Sequence, residues 1–259
     1  MNALLTEIGP EQLVGFILVL ARLTPLFLFA PMFSSKLVPV RVRGIVAVAL
    51  AIGLGPLALA GARPPLDAAS ILGLVTKELL VGMAFAFAVG MIIVALQIAG
   101  TFVDTLIGFA FGAAVDPLTG NQGTIMSQIY GLLGVLIFIA INGDALVIRG
   151  FAETFELIPL LESPALGALL DGALAAFVGI FTSALQVAAP VLLALLLTDA
   201  AFGLATRVMP QLNVFAVGLP AKVIVGILIM AASLPFVGGL VSRELETSVE
   251  TALLSMGVN

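Results

Sequence analysis

Apolar positions run through this chain in long, nearly unbroken stretches. Six of them, at residues 12–32, 40–62, 70–103, 124–148, 173–198 and 220–241, approach or exceed the about 20 residues a helix needs to cross a ~30 Å hydrocarbon core. Each predicts a membrane-spanning helix. The third is long enough to overshoot a bilayer and carries the adjacent pair Lys77–Glu78 about two turns in. One segment breaks the pattern: 149–170 mixes Arg149, Glu153, Glu156 and Glu162 with apolar residues. It predicts a connecting or interfacial amphipathic helix ended near Pro159 and Pro164. No polar stretch is long enough for a soluble domain, and no short repeat or low-complexity tract interrupts the series.

Composition turns that pattern into a membrane protein. Of 259 residues, 61% are hydrophobic and 10% charged, with a mean hydropathy of +1.27. A soluble domain carries about 25% charged residues to wet its surface. The formal charge of −5 offers no basic footprint for nucleic acid. Cysteine and histidine are both absent, which removes disulfides, thiol chemistry, and the commonest general base and metal ligand. The N-terminal residues carry Glu7 and Glu11 but no basic n-region, so they are not expected to be a cleaved signal peptide. Lys36, Arg41 and Arg43 lie between the first two runs, which places that connection in the cytoplasm by the positive-inside rule.

Several positions suit acyl chains badly. Arg22 lies within the first run, close to Pro25, and Asp104 and Asp199 sit at the edges of others. A charge at the bilayer centre costs about 2.5–3.5 kcal/mol on insertion scales, so these residues either cap helices at an interface or face protein or water. Lys77 and Glu78 point about 100° apart on a helix, so they are not expected to neutralise each other on one face. Gly100, Asp104, Gly108 and Gly112 recur every fourth residue and share one helical strip, which lets another backbone approach closely. Ordinary helix packing accounts for such a strip by itself. The following segment, 108–123, has Gly108, Gly112, Gly120 and Gly123, the pair Phe109 and Phe111, and Asp116–Pro117, with no Lys or Arg. Gly permits unusual backbone angles and Pro117 restrains the residue before it. Irregular backbone at membrane depth is tolerated only inside protein or along a watery cavity. Residues 106–122 are therefore expected to form a loop of that kind.

A second interruption is expected over 198–222, where Arg207, Pro210, Gln211, Asn213, Gly218 and Pro220 divide a helical hairpin by a structured connection. A Ser–His or metal-dependent protease is excluded by the missing histidine and cysteine. An aspartyl dyad from Asp104, Asp116, Asp144 and Asp199 lacks the expected Gly-x-Gly-Asp pattern, since Asp144 follows Ile141, Asn142 and Gly143. Nothing else in the chain points to an enzyme or a cofactor. A secondary transporter with broken helices remains an alternative, but it predicts matching interruptions in two halves, and these halves do not match. A subunit of a larger membrane complex fits best.

Three stretches carry a family resemblance. Residues 31–51 (PMFSSKLVPVRVRGIVAVALA), 108–122 (GFAFGAAVDPLTGNQ) and 210–222 (PQLNVFAVGLPAK) closely resemble the FliR family of flagellar type III secretion export-gate proteins, in order and spacing across essentially the whole chain. Virulence-secretion counterparts are more distant. The resemblance implies an all-α membrane protein whose bent, re-entrant helical hairpins pack into a helical multi-subunit export gate. It implies one membrane domain over 1–259, with 1–172 similar to a FliP-type element and 173–259 to a FliQ-type hairpin. Implied partners are FliP and FliQ subunits, FlhB and FlhA, and unfolded flagellar export substrates, at the flagellar basal body in the bacterial inner membrane. The implied pore plug is 106–122, with Gly108, Phe109, Phe111, Gly112, Asp116, Pro117 and Gly120. A subunit interface is expected at Arg207, Pro210, Gln211, Asn213, Phe215, Pro220 and Lys222, and the position of Arg22, Lys77, Glu78, Asp104 and Asp199 in or beside apolar runs marks them as the expected buried charges. Asp144 departs from the family pattern, which often has His there.

Overall fold

The computed structural model describes residues 9–31, 33–34, 38–59, 63–109, 124–211 and 213–257, the side chains of Val214 and Phe215 excepted. All regular structure among the described residues is helical: α1 (Pro10–Leu23), α2 (Leu26–Phe29), α3 (Val40–Ala58), α4 (Ala68–Ile107), α5 (Ile125–Ala140), α6 (Gly143–Leu157), α7 (Leu166–Val208) and α8 (Val214–Gly257). Five apolar stretches are long enough to cross a membrane: α1 with α2, then α3, α4, α7 and α8. The bent pair α5 and α6 makes a sixth if taken together.

The apolar runs thus become helices, with three differences from the sequence expectation. The run at 124–148 does not continue as one helix. It stops at Ala140 and resumes at Gly143 with a bend of 73°, because Asn142 takes the left-handed conformation (φ 54°, ψ 41°). Asn tolerates that region better than other side-bearing residues, and a residue there ends a helix. Nor does 149–170 form one amphipathic helix. Its first half belongs to α6, which ends two residues before Pro159, and its last residues begin α7. The expected interruption over 198–222 shrinks to 209–213, because α7 runs on to Val208 and α8 starts at Val214. Gly218 and Pro220 lie inside α8. Pro220, the seventh residue of α8, lies beyond the four N–H groups that lack partners at a helix start, so it removes one intrahelical bond, and the helix forms through it all the same.

The chain divides into two compact units interleaved in sequence: residues 1–91, 142–177 and 245–259, and residues 92–141 and 178–244. The long helices α4, α7 and α8 each contribute to both. In the first unit Leu18, Val19, Leu23, Phe85, Val147 and Phe151 are buried. Phe85, Phe151 and Phe155 form successive edge-to-face pairs with centroids 5.7 Å apart. Gly82 permits a close helix crossing here, since a Cβ on it would overlap the carbonyl oxygen of Arg22. Helix α3 is different. Val40, Ile45 and Ile52 are 80%, 69% and 64% exposed, and at 19 residues it is about 28 Å long, close to the ~30 Å hydrocarbon thickness. Its exposed face is apolar over a length matched to the hydrocarbon core. In the second unit Ala99, Val103, Ile107, Tyr130, Ala184, Val191 and Leu195 are buried among α4, α5 and α7.

Candidate functional site

The second unit brings the expected glycine–aspartate strip onto the start of α5. Helix α4 ends at Ile107, and Gly108 takes a φ of +102°, open to glycine without strain. Asp104, fully buried, accepts hydrogen bonds through one carboxylate oxygen from the main-chain N–H of Met126 (2.9 Å) and Ser127 (3.1 Å). Those are the second and third N–H groups of α5, orphaned in any helix and usually taken by the side chain of the preceding residue. Here that residue is Thr124, whose hydroxyl makes no such bond. A carboxylate from another helix does the work, and its charge suits the positive end of the α5 dipole. Gly100, one turn earlier, lets the helices close up. A Cβ there would lie 2.5 Å from the Met126 carbonyl oxygen and the Ser127 Cα.

Lys222 of α8 reaches the same corner. Its ammonium donates to the Leu106 carbonyl (3.1 Å), in the last turn of α4, and pairs with Asp199 of α7 at 2.5 Å. This cation satisfies a terminal carbonyl and favours the negative end of the helix. Asp199 keeps 41% of its side chain exposed, so it sits at the surface of this chain and not in its interior. Phe109 is half-buried. Phe111, Gly112, Asp116, Pro117 and Gly120, the remaining expected plug positions, lie outside the described residues.

The residues expected at a subunit interface are spread over the turn and the helices that flank it. Pro210, Gln211 and Asn213 lie in the 209–213 turn and are exposed. The Asn213 side chain accepts from the Ala216 N–H (3.2 Å) and so caps α8. Arg207 ends α7 and Pro220 is an exposed residue of α8. Phe215 lies in the first turn of α8.

In the first unit the other three charges expected to be buried, Arg22, Lys77 and Glu78, form one cluster. Arg22 and Glu78 are both fully buried and joined through the Arg22 Nε. The other guanidinium nitrogens donate to the main-chain carbonyls of Thr154 (2.9 Å) and Ile158 (2.8 Å) at the end of α6, and the guanidinium lies 4.3 Å from the Phe155 ring centroid. Lys77, 13% exposed at its side chain, contacts the second Glu78 oxygen at 2.7 Å and donates to the carbonyls of Leu160 (2.5 Å) and Glu162 (2.9 Å). The expectation that neighbours at 77 and 78 do not pair is thus corrected. Both side chains are long enough to fold across the 100° between their Cα vectors, and Arg22 occupies the other face of the carboxylate. Glu78 offsets one of the two positive charges, and the carbonyls of Thr154, Ile158, Leu160 and Glu162 accept hydrogen bonds from both cations. These acceptors are main-chain atoms, so no residue type marked them in the sequence. The Pro-rich end of α6 was their only trace.

Among the described residues no cluster of acidic side chains could hold a metal. What the polar site does chemically is satisfy helix ends.

Known proteins place the chain. Residues 13–248 match the model of the family described as bacterial export proteins, family 1. The flagellar biosynthetic protein FliR of Bacillus subtilis is 31% identical over 92% of either chain. FliR of Escherichia coli is 31% identical over 84% of this chain and 83% of its own. The surface presentation of antigens protein SpaR of Salmonella typhimurium is 28% identical over 81% of this chain and 79% of its own. With nine-tenths of its length matched by the family model, this all-helical, membrane-spanning chain belongs to bacterial export protein family 1, the family of FliR.

Proposed function

We propose that this protein is a core subunit of the flagellar protein export gate in the bacterial inner membrane, assembled with FliP and FliQ subunits beside FlhB and FlhA. In this role it helps to form and to plug the pore through which unfolded flagellar proteins leave. One observation carries the reading beyond kinship. Helices α7 and α8 have 43 and 44 residues, about 65 Å each and twice a bilayer's hydrocarbon core. Yet apolar side chains are exposed along most of α7, from Leu166 and Leu174 through Phe181 and Leu193 to Leu204 and Val208. Lipid can cover only half of such a face, so protein must cover the remainder.

The plug is assigned to 106–122 because residues 108–112 (GFAFG) are uncharged and apolar, with Asp116 the single charged residue of the segment. An apolar constriction can block water and ions by dewetting, without any charge. Deleting residues 109–115 is expected to make membranes that hold the assembled gate leaky to small solutes. Unchanged conductance with the gate intact refutes the plug. The turn at 209–213 is assigned to a subunit interface. Gln211→Ala with Asn213→Ala is expected to weaken co-purification with FliP and FliQ, and an unaltered complex in detergent refutes that assignment.

A further inference from the structure

We infer that Asp104 is the positioning residue that holds the last turn of α4 against the first turn of α5, with Lys222 bracing the same turn from α8. The corner is closed from several directions at once. Within α4, the Gly108 N–H donates to the Asp104 carbonyl (2.9 Å), so the helix keeps its hydrogen bonding up to the residue where φ turns positive. From α5, two N–H groups converge on a single oxygen of the Asp104 carboxylate. From α8, Lys222 takes the Leu106 carbonyl while Asp199 restrains its ammonium. The chain leaves this corner after residue 109 and returns to it at 124. One carboxylate, 22 positions upstream of the N–H it caps, therefore sets the separation and direction of both ends of the connection. The backbone of α5 is held by Asp104 in place of its own Thr124, so the start of α5 cannot move independently of α4 without orphaning two N–H groups, one buried and one part-buried.

Among the described residues the second Asp104 oxygen has no hydrogen-bond partner. The clamp thus works through one well-placed acceptor oxygen, to which the negative charge adds only its favourable place at the start of α5. An asparagine offers the same carbonyl oxygen in the same volume, whereas an alanine offers none. This distinguishes a clamp from a site that works through ionisation. The inference rests on the reading of 106–122 as the plug only for its consequence on leak, and its structural half can be measured independently.

The test uses the complete gate, reconstituted in lipid vesicles. The chain has no cysteine, so Thr105→Cys and Ile125→Cys place a spin label on each side of the corner once partner subunits are made cysteine-free. Asp104→Ala is expected to broaden the distance distribution between the labels at least twofold. In the unlabelled gate it is expected to raise small-solute leak about tenfold. Asp104→Asn is expected to restore both. An Asp104→Ala gate that assembles with an unchanged distance distribution overturns the clamp. An Asp104→Asn variant as defective as Asp104→Ala also overturns it, assigning the role to the charge. If the labels report a loosened corner but neither this variant nor the 109–115 deletion leaks, the clamp stands and the plug falls. If Asp104→Ala prevents assembly, the asparagine variant carries the decision.

Discussion

Removing Glu78 leaves the ammonium of Lys77 and the guanidinium of Arg22 without their shared anion, in a place where Arg22 and Glu78 have no exposed surface. Taking one partner from a buried ion pair costs about 3–5 kcal/mol, because the remaining charge is uncompensated. Removing Arg22 perturbs the site differently. Lys77 still neutralises Glu78 at 2.7 Å, but the carbonyls of Thr154 and Ile158 lose their donors, each bond to a charged group being worth about 1.5–3 kcal/mol. Arg22→Met and Glu78→Leu should therefore each cost about 3–5 kcal/mol. Together they should cost at least ~2 kcal/mol less than their sum, since Glu78→Leu alone strands the Arg22 guanidinium and the double change does not. Equilibrium unfolding in mixed micelles, titrated with SDS, measures the complete cycle. Neutral interhelical hydrogen bonds in membrane proteins average only about 0.6 kcal/mol. Single losses below ~1 kcal/mol would thus mean that ordinary hydrogen bonding, and not a buried ion cluster, holds α1, α4 and the end of α6 together. Additivity within ~0.5 kcal/mol would equally refute the coupling.

Three further outcomes follow from the same geometry. Gly82→Ala drives a methyl group into the Arg22 carbonyl and should cost about 1–3 kcal/mol, while Gly73→Ala, with nothing within 4 Å of its Cβ, should be neutral or stabilising by up to ~1 kcal/mol; thermal unfolding of the two variants compares them. Asn142→Ala should destabilise by about 1–2 kcal/mol because of its positive φ, and Asn142→Gly should not; if the alanine variant melts with the wild type, the bend between α5 and α6 does not depend on that conformation. At the exposed start of α4, the hydrogen bond from the Ser70 N–H (2.9 Å) holds the Asp67 carboxyl below its ordinary value. A depressed folded-state pKa stabilises above the unfolded value and is lost as pH falls through the folded one. Hydrogen exchange at Ser70, corrected for its intrinsic rate, should therefore accelerate only below the ordinary carboxylate range, and Asp67→Ala should abolish that pH step.

The apolar runs by themselves determined the helical class and most of the helix positions, because the only way to bury backbone polar groups in lipid within one segment is to coil it. The long third run at 70–103 became α4 over Ala68–Ile107, and the three quoted stretches were enough to indicate the family. Where the run at 124–148 breaks was written in Asn142–Gly143, but hydropathy alone is blind to a single left-handed residue. The density of polar residues and prolines over 198–222 overstated the interruption there, since a proline near a helix start breaks little. The tertiary structure alone decided what the charges do. Asp104 could be seen to lie on a small-residue strip, but not that it caps α5, since that requires knowing which helix lies against Gly100. Lys77 and Glu78 appeared incompatible on a bare helix until Arg22 and the carbonyls of 154–162 surrounded them. Charge and spacing are local properties and can be read along a chain. The partners that make a buried charge tolerable are main-chain atoms from distant segments, and only the fold brings them within reach.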